Sequence, residues 1–243
     1  MPSRNQDGVE GVDVSVVMPT YCEAENLPLV IPEVLAHLEP QGRSVEILVV
    51  DDASPDGTAE VARGLGEAYP VRVIERHQER GLATAVLAGF DAASGEVCIV
   101  MDADGSHPPS CLPHLLEPIM SDGFEIAVGS RHLPGGGFRS GSWSSQMVSR
   151  FAAVFAQRLS PISDPTSGLM AIRRQLLGHL DLDPVGWKIV LEIVVKAHPR
   201  PVAEVPILFD LRRSGTSKQS LRVFFQYLRH CSRLRRFRSR QGP

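Results

Sequence analysis

The chain has 243 residues, 43% of them hydrophobic and 22% charged, which is enough apolar material for a buried core and excludes a chain disordered throughout. Its net charge of −3 conceals an asymmetry: residues 211–243 hold ten Lys or Arg and no acid, leaving 15 basic against 28 acidic residues, a net of −13, in the first 210. An acidic body with a basic tail argues against a protein coated for nucleic acid and for a local contact with an anionic surface.

In chain order, short β-branched apolar runs at Val14 to Met18, Val45 to Val50, Val71 to Ile74 and Val97 to Met101 predict buried parallel strands. Helical patterns lie between them. Glu25 to Leu38 sets Leu27, Val30, Ile31, Val34, Leu35 and Leu38 on one stripe, Thr58 to Ala68 follows a Pro-Asp-Gly turn, and Leu82 to Ala92 is Ala-rich. Strand then helix, repeated, predicts an α/β fold, a Rossmann-like, mostly parallel sheet flanked by helices. Further on come a strand at Glu125 to Val128, a Gly-rich loop at Pro134 to Gly137, a helix over Ser144 to Leu159 and a last strand at Ala203 to Phe209. The reading is a flexible N-terminus over 1–12, one domain over 13–217, and a basic amphipathic helix and tail over 218–243. That tail sets Leu221, Phe224, Phe225 and Leu228 at helical spacing among arginines, a pattern suited to an anionic membrane surface, with a packed helix followed by a disordered basic end as the alternative. No stretch approaches the roughly 18 apolar residues of a membrane-spanning helix, and Met1 to Asp13 lacks the regions of a secretory signal. Cys22, Cys98, Cys111 and Cys231 have no metal-ligand spacing and read as reduced thiols of a cytoplasmic protein.

In an open parallel sheet, ligands sit beyond the carboxyl ends of the strands. Here those ends are polar: Pro19-Thr20-Tyr21-Cys22-Glu23 after the first strand, Asp51-Asp52 and the turn to Thr58 after the second, Asp102-Ala103-Asp104 after the fourth. Asp102 and Asp104 face the same way in an extended chain, and two hard oxygens suit Mg²⁺ or Mn²⁺ held together with substrate phosphates. An isolated pair of acids is usually a solvated loop; its place directly after an apolar strand is what gives this one weight. Asp52 is the carboxylate expected to meet a ribose or base, while Asp51, Ser54 and Asp56 shape the turn and cap the next helix. Tyr21 is placed to stack on a base and Glu23 to accept from its ring nitrogens, with an ordinary half-buried aromatic as the alternative for Tyr21.

Taken in order, PTYCEAENL, VVDDASPDGT, GLATAVLAG, MDADGSHPP, GSR, SDPTSG and EVPILFDLRRSGTSK resemble the dolichyl-phosphate (polyprenyl-phosphate) mannose synthase branch of glycosyltransferase family 2, from about Val14 to Lys218. The resemblance implies the GT-A fold, GDP-mannose as donor, a divalent metal, and inverting transfer of mannose to a polyprenyl phosphate at the cytosolic membrane face. It implies that Pro19, Tyr21, Glu23, Val50 and Asp52 line the nucleoside pocket, that Asp102, Ala103 and Asp104 meet metal and diphosphate, and that Ser106 is a further candidate metal ligand. Arg131, Arg212 and Lys218 would approach donor or acceptor phosphates, with Asp104 and Arg131 carrying catalysis. Asp164 to Gly168, a turn by its composition, would wall the acceptor site, and Glu192 would partner an arginine. A small membrane partner subunit accompanies relatives without an anchor, and none is identifiable from this sequence.

Two departures stand out. Cys22 occupies a position where Asn is common, and Ser145 and Gln146 stand where an Arg-Lys pair precedes the serine matched by Ser149, leaving Arg139 or Arg150 as substitutes. A phosphate monoester carries about −1.5 to −2 charges at neutral pH, so it needs no strong general base; a sugar hydroxyl would need one, and no surplus carboxylate is evident. His107, beside two prolines, is expected to shape a turn. The alternatives are a family 2 transferase moving glucose or another sugar, and a non-catalytic nucleotide-sugar binding module.

Overall fold

The computed structural model describes residues 11–139, 156, 159–183, 186, 188–210 and 221–240, with the side chains of 221–225 and 240 left out. A seven-stranded sheet runs through it, built from β1 (Val14–Thr20), β2 (Val45–Asp51), β3 (Val71–Glu75), β4 (Val97–Val100), β5 (Ile126–Ser130), β7 (Met170–Arg173) and β8 (Val202–Pro206). Their order across the sheet is β3-β2-β1-β4-β7-β5-β8. All neighbours pair in parallel except β7, which runs antiparallel to both β4 and β5. A second, two-stranded sheet pairs β6 (Gly137–Phe138) with β9 (Leu208–Phe209).

The central strands are apolar at nearly every position because both faces are covered. On one face pack α1 (Leu27–Leu38), whose predicted stripe is buried in full, α2 (Thr58–Leu65) and α4 (Leu112–Ser121). On the other pack α3 (Leu82–Ala92), α5 (Arg174–Leu177) and α6 (Ile189–Lys196). α3 lies so close to β1 that a Cβ on Gly89 would stand 2.3 Å from a methyl carbon of Val17. A 20-residue helix, α7 (Leu221–Arg240), ends the described chain.

Several elements were not legible in the sequence, among them α4, β7, the single turn of α5 and the two-residue β6. α4 sets Leu112, Leu115, Leu116 and Ile119 at helical spacing, but Pro113 and Pro118 disguise it; Pro113 sits in the first turn, where no N–H is needed. β7, only four residues long, has no periodicity to read. The predicted single strand 203–209 is two: β8 pairs with β5, then the chain turns at Ile207 and β9 pairs with β6. The predicted helix over 144–159 falls outside the described residues apart from helical Ala156 and Leu159 at its end.

Candidate functional site

Because β2 and β4 lie on opposite sides of β1 and all three run in parallel, their carboxyl ends open on one crevice at the point where the strand order reverses. The loops after β1 and β2 are stitched together there. Ser54 Oγ accepts from Cys22 N at 2.9 Å, Thr58 Oγ1 from Glu23 N at 2.9 Å, and Asp56 Oδ2 from Ala24 N at 3.1 Å. Asp51 is fully buried and accepts from Thr20 Oγ1 at 2.9 Å and from Ser54 N and Oγ at 2.8 and 2.5 Å, so it shapes the turn. Cys22 and Ala53, at the tips of these loops, hold left-handed backbone with φ of +63° and +50°. Asn tolerates that conformation better than Cys, which gives a physical reason for its frequency at the first position.

Of the residues expected to meet a nucleoside, Tyr21 lies under the Arg80 guanidinium, 5.6 Å from ring centroid to Cζ, and Glu23 accepts from Asn26 Nδ2 at 2.6 Å. Pro19 is half-buried beside them. Val50 has no exposed surface and packs into the core against α3, so it can offer a ligand only its backbone. Asp52 turns toward the start of α3: Oδ2 accepts from Gly81 N at 2.7 Å, and Oδ1 lies 3.2 Å from Arg76 Nε without hydrogen-bond alignment.

Beyond β4 the chain turns sharply through Gly105 (φ +78°). Asp102 is partly exposed to the crevice, with 30% of its side chain accessible, whereas Ala103, Asp104 and Ser106 are buried. Asp104 Oδ1 accepts from Ser106 N at 2.9 Å. His107 is a prop beneath them: its Nδ1 accepts from Asp102 N at 3.0 Å, and its ring packs edge-on against Phe209, 5.4 Å between centroids. Burial drives its pKa below the usual histidine value, although the charges of Asp102 and Asp104 pull the other way. Among the described residues no three His, Cys, Asp or Glu side chains form a metal cage. The donor set that is present, two neighbouring carboxylates and the Ser106 hydroxyl, suits a hard cation that takes its remaining oxygens from phosphates. Ser106 Oγ is fully buried and has no hydrogen-bond partner among the described residues, as expected of an oxygen reserved for such an ion.

On the far side of Asp102 lies a second charged cluster. Arg131, just past β5, clamps Asp164 through Nε at 2.6 Å, Nη2 at 2.8 Å and its backbone N at 3.1 Å, and Nη2 also donates to Thr166 Oγ1 at 2.7 Å. Its guanidinium stands 5.2 Å from the ring centroid of Phe138 and 5.3 Å from that of Phe209, the two residues that end β6 and β9. Burial alone would raise the Asp164 carboxyl, but the hydrogen bonds and charge of Arg131 outweigh it and hold the pKa at about 2. Lys188 donates from Nζ to the Thr166 carbonyl at 2.6 Å. Burial lowers its pKa to about 8, with Arg131 pushing the same way and Asp164 and Asp102 opposing. Gly168 closes the loop against Asp102: a Cβ there would stand 3.6 Å from Asp102 Oδ2 and 3.3 Å from His107 Cε1. The structure therefore brings 164–168 to the acidic pair, and adds Lys188, which sequence reasoning missed because one lysine ahead of an apolar run carries no signal.

Glu192 was expected to partner an arginine. Among the described residues it accepts instead from Lys196 Nζ at 2.6 Å and Asp183 N at 2.8 Å, with His230 Nε2 at 3.9 Å, because α6 turns it toward α7 rather than toward the crevice. Arg139 lies near Asp210 at 3.5 Å on the surface. Arg212, Lys218, Ser145, Gln146, Ser149 and Arg150 lie outside the described residues.

Comparison with known proteins agrees with this architecture. Residues 15–181 match Glycosyl transferase family 2. A dolichol-phosphate mannosyltransferase of Pyrococcus furiosus is 43% identical over 91% of this chain and 63% of its own length, so the chain spans about two thirds of that relative. The dolichol-phosphate mannosyltransferase of Saccharomyces cerevisiae is 35% identical over 92% of this chain and 87% of its own, and the polyprenol monophosphomannose synthase of Mycolicibacterium smegmatis 41% over 84% and 80%. Among solved structures, glucosyl-3-phosphoglycerate synthase of Mycobacterium tuberculosis with Mn²⁺ and UDP superposes with a TM-score of 0.65 at 22% identity, covering 94% of this chain and 80% of that one. Mannosyl-3-phosphoglycerate synthase of Rubrobacter xylanophilus gives 0.69 at 19% identity, covering 96% and 76%. At those identities the likeness carries the fold, which is GT-A. With the sheet order, the acidic pair at the reversal point and a family match over most of the chain in agreement, the protein belongs to glycosyltransferase family 2.

Proposed function

We propose that this chain transfers mannose from GDP-mannose to a polyprenyl phosphate, with inversion, at the cytosolic face of a membrane and with Mg²⁺ or Mn²⁺. The observation that carries the reading is the position of Asp102 and Asp104, with the crevice at the ends of β1 and β2 on one side and the Arg131–Asp164–Lys188 cluster on the other. The names of the relatives supply the sugar and the lipid phosphate.

Tyr21, Glu23 and Asp52, with Pro19 and the backbone of Val50, bind and orient the nucleoside; Asp52 fixes the Gly81 end of α3 as the crevice rim. Asp102, Asp104 and Ser106 hold the divalent cation, which when bound neutralises the leaving diphosphate. Arg131, locked between two aromatic rings and Asp164, presents a fixed positive charge toward the phosphates. Arg212 and Lys218 add to it. A phosphate monoester attacks in its ionised form, so no side chain has to take a proton. His107 is unsuited to that work: its Nδ1 is occupied and burial disfavours its charged form.

The test is transfer from radiolabelled GDP-mannose to polyprenyl phosphate in anionic vesicles, with and without Mn²⁺, for wild type and Asp104→Ala. A metal-dependent mannolipid that falls by about 10²-fold or more in the variant supports the reading. Metal-dependent donor binding without lipid product would sink the acceptor assignment, and donor binding indifferent to metal would point to a binding module. Product made from UDP-glucose in preference to GDP-mannose would reassign the sugar.

A further inference from the structure

We propose that Lys188 supplies a direct cationic contact to the phosphate of the acceptor, on the flank of Asp102 opposite the nucleoside crevice. The inference rests on the mannosyl-transfer reading above and adds a residue to it.

The first support is charge accounting. A partly buried ammonium, such as that of Lys188, needs a counter-charge or hydrogen-bond acceptors for the N–H groups turned away from water. Among the described residues, Lys188 Nζ has one acceptor, the Thr166 carbonyl. The carboxylates that act on it electrostatically are Asp164 and Asp102. Asp164 is already held in bidentate fashion by Arg131 at 2.6 and 2.8 Å. Asp102 belongs to the pair suited to a divalent cation, and a cation there would cancel its charge. In the loaded enzyme the Lys188 ammonium is therefore short of an anion, next to where a phosphate must arrive. Arg131, by contrast, has spent Nε and Nη2 on Asp164 and Thr166, which makes Lys188 the less committed of the two cations.

Position in the fold is the second support. The nucleoside crevice opens at the ends of β2 and β1, and β4 carries Asp102 beside them. Arg131 follows β5, Thr166 precedes β7, and Lys188 precedes α6, all on the other side of β4. A phosphate bound by Lys188 thus lies on the side away from the nucleoside, from which its oxygen can approach the anomeric carbon opposite the bond to the leaving diphosphate, as an attacking nucleophile must in an inverting displacement.

The experiment measures binding rather than turnover, with farnesyl phosphate as a short, soluble probe of the acceptor and GDP-mannose with Mn²⁺ as the control ligand. Wild type, Lys188→Met and Lys188→Arg are compared by calorimetry. The expected result is a loss of farnesyl phosphate affinity of about tenfold or more in Lys188→Met, a GDP-mannose affinity within about twofold of wild type, and recovery of most of the loss in Lys188→Arg. Equal probe affinity in wild type and Lys188→Met overturns the inference, and so does an equal weakening of both ligands, the mark of a lysine that only clamps the Thr166 loop. If binding is Lys188-dependent but no mannolipid forms in the transfer assay, the reaction assigned above fails while the phosphate contact stands. If wild type makes mannolipid and Lys188→Met binds the probe normally, this inference alone fails.

Discussion

At the scale of single residues the site separates into groups that face the crevice and groups that hold the crevice in shape, and the buried Arg131–Asp164 pair belongs to both. Removing one partner of such a pair leaves the other buried and uncompensated, which costs about 3–5 kcal/mol. Asp164→Asn should lose stability on that scale in urea denaturation at neutral pH, and should lose transfer activity as Arg131 leaves its place between Phe138 and Phe209. The pH dependence has a definite sign. The Asp164 carboxyl is held at about 2 in the folded protein, below the ~4 of an unfolded chain, so its pairing stabilises the fold above about pH 4 and the contribution is lost as pH falls from about 4 through about 2. The amount is about 2 kcal/mol. Wild type should therefore lose stability across that window more steeply than Asp164→Asn; parallel curves would mean that the pair is not formed. The same separation shows what could be read from sequence. Asp102 and Asp104 announced themselves by following an apolar strand, and Asp51 by its turn, because both signals are local. Lys188 and the charge state of Asp164 depend on residues more than 20 positions away coming together, and no local pattern encodes that.

Elements were legible in proportion to their periodicity. α1 has six apolar residues on one stripe and was placed nearly in full, and the central parallel strands were continuous apolar runs. α4 and β7 escaped for opposite reasons: one a good stripe interrupted by prolines, the other a run too short to have a period. Yet β7 does much to build the site, since its antiparallel insertion between β4 and β5 brings the 164–168 loop against Asp102. The packing of α3 over β1 is a second feature that only tertiary structure explains. Gly89 sits in a helix, where alanine would ordinarily be favoured by about 1 kcal/mol. Here a Cβ would stand 2.3 and 3.1 Å from the two methyl carbons of Val17 and 3.2 Å from Val50 Cγ2. Gly89→Ala should therefore destabilise by about 1–3 kcal/mol despite its better helix propensity, and by pushing α3 off the sheet it should weaken GDP-mannose binding through Gly81 and Asp52. A melting temperature equal to or above that of wild type would show that the helix can shift at no cost.

For the molecule as a whole, the question is how a chain in which no described helix is long and apolar enough to cross a membrane meets a lipid phosphate. The sequence suggested an apolar stripe on the last helix lying in the membrane interface. The side chains of Leu221, Phe224 and Phe225 from that stripe lie outside the described residues; a different face of the helix, made by Tyr227, Cys231 and Leu234 with buried His230 beside them, packs against Leu191 and Val195 of α6 and against Ala156 and Leu159. Arg233 pairs with Asp183 and Arg238 donates to the Leu159 carbonyl at 2.7 Å, leaving Arg229, Arg235 and Arg236 exposed. A helix whose apolar face is occupied by its own protein can offer a membrane mainly charge over this stretch. Each exposed arginine near an anionic surface contributes about 1 kcal/mol, and the attraction decays within a Debye length of about 10 Å at 0.1 M salt. Sedimentation with vesicles should therefore require anionic lipid, fall steeply as salt is raised, and drop by about two orders of magnitude or more when Arg229, Arg235 and Arg236 are all changed to Glu. Donor binding should survive that change, because none of the three touches the crevice. Vesicle binding that persists at 1 M salt would mean that apolar insertion carries the contact, and would shift attention from the exposed arginines of α7 to apolar surface elsewhere on the chain.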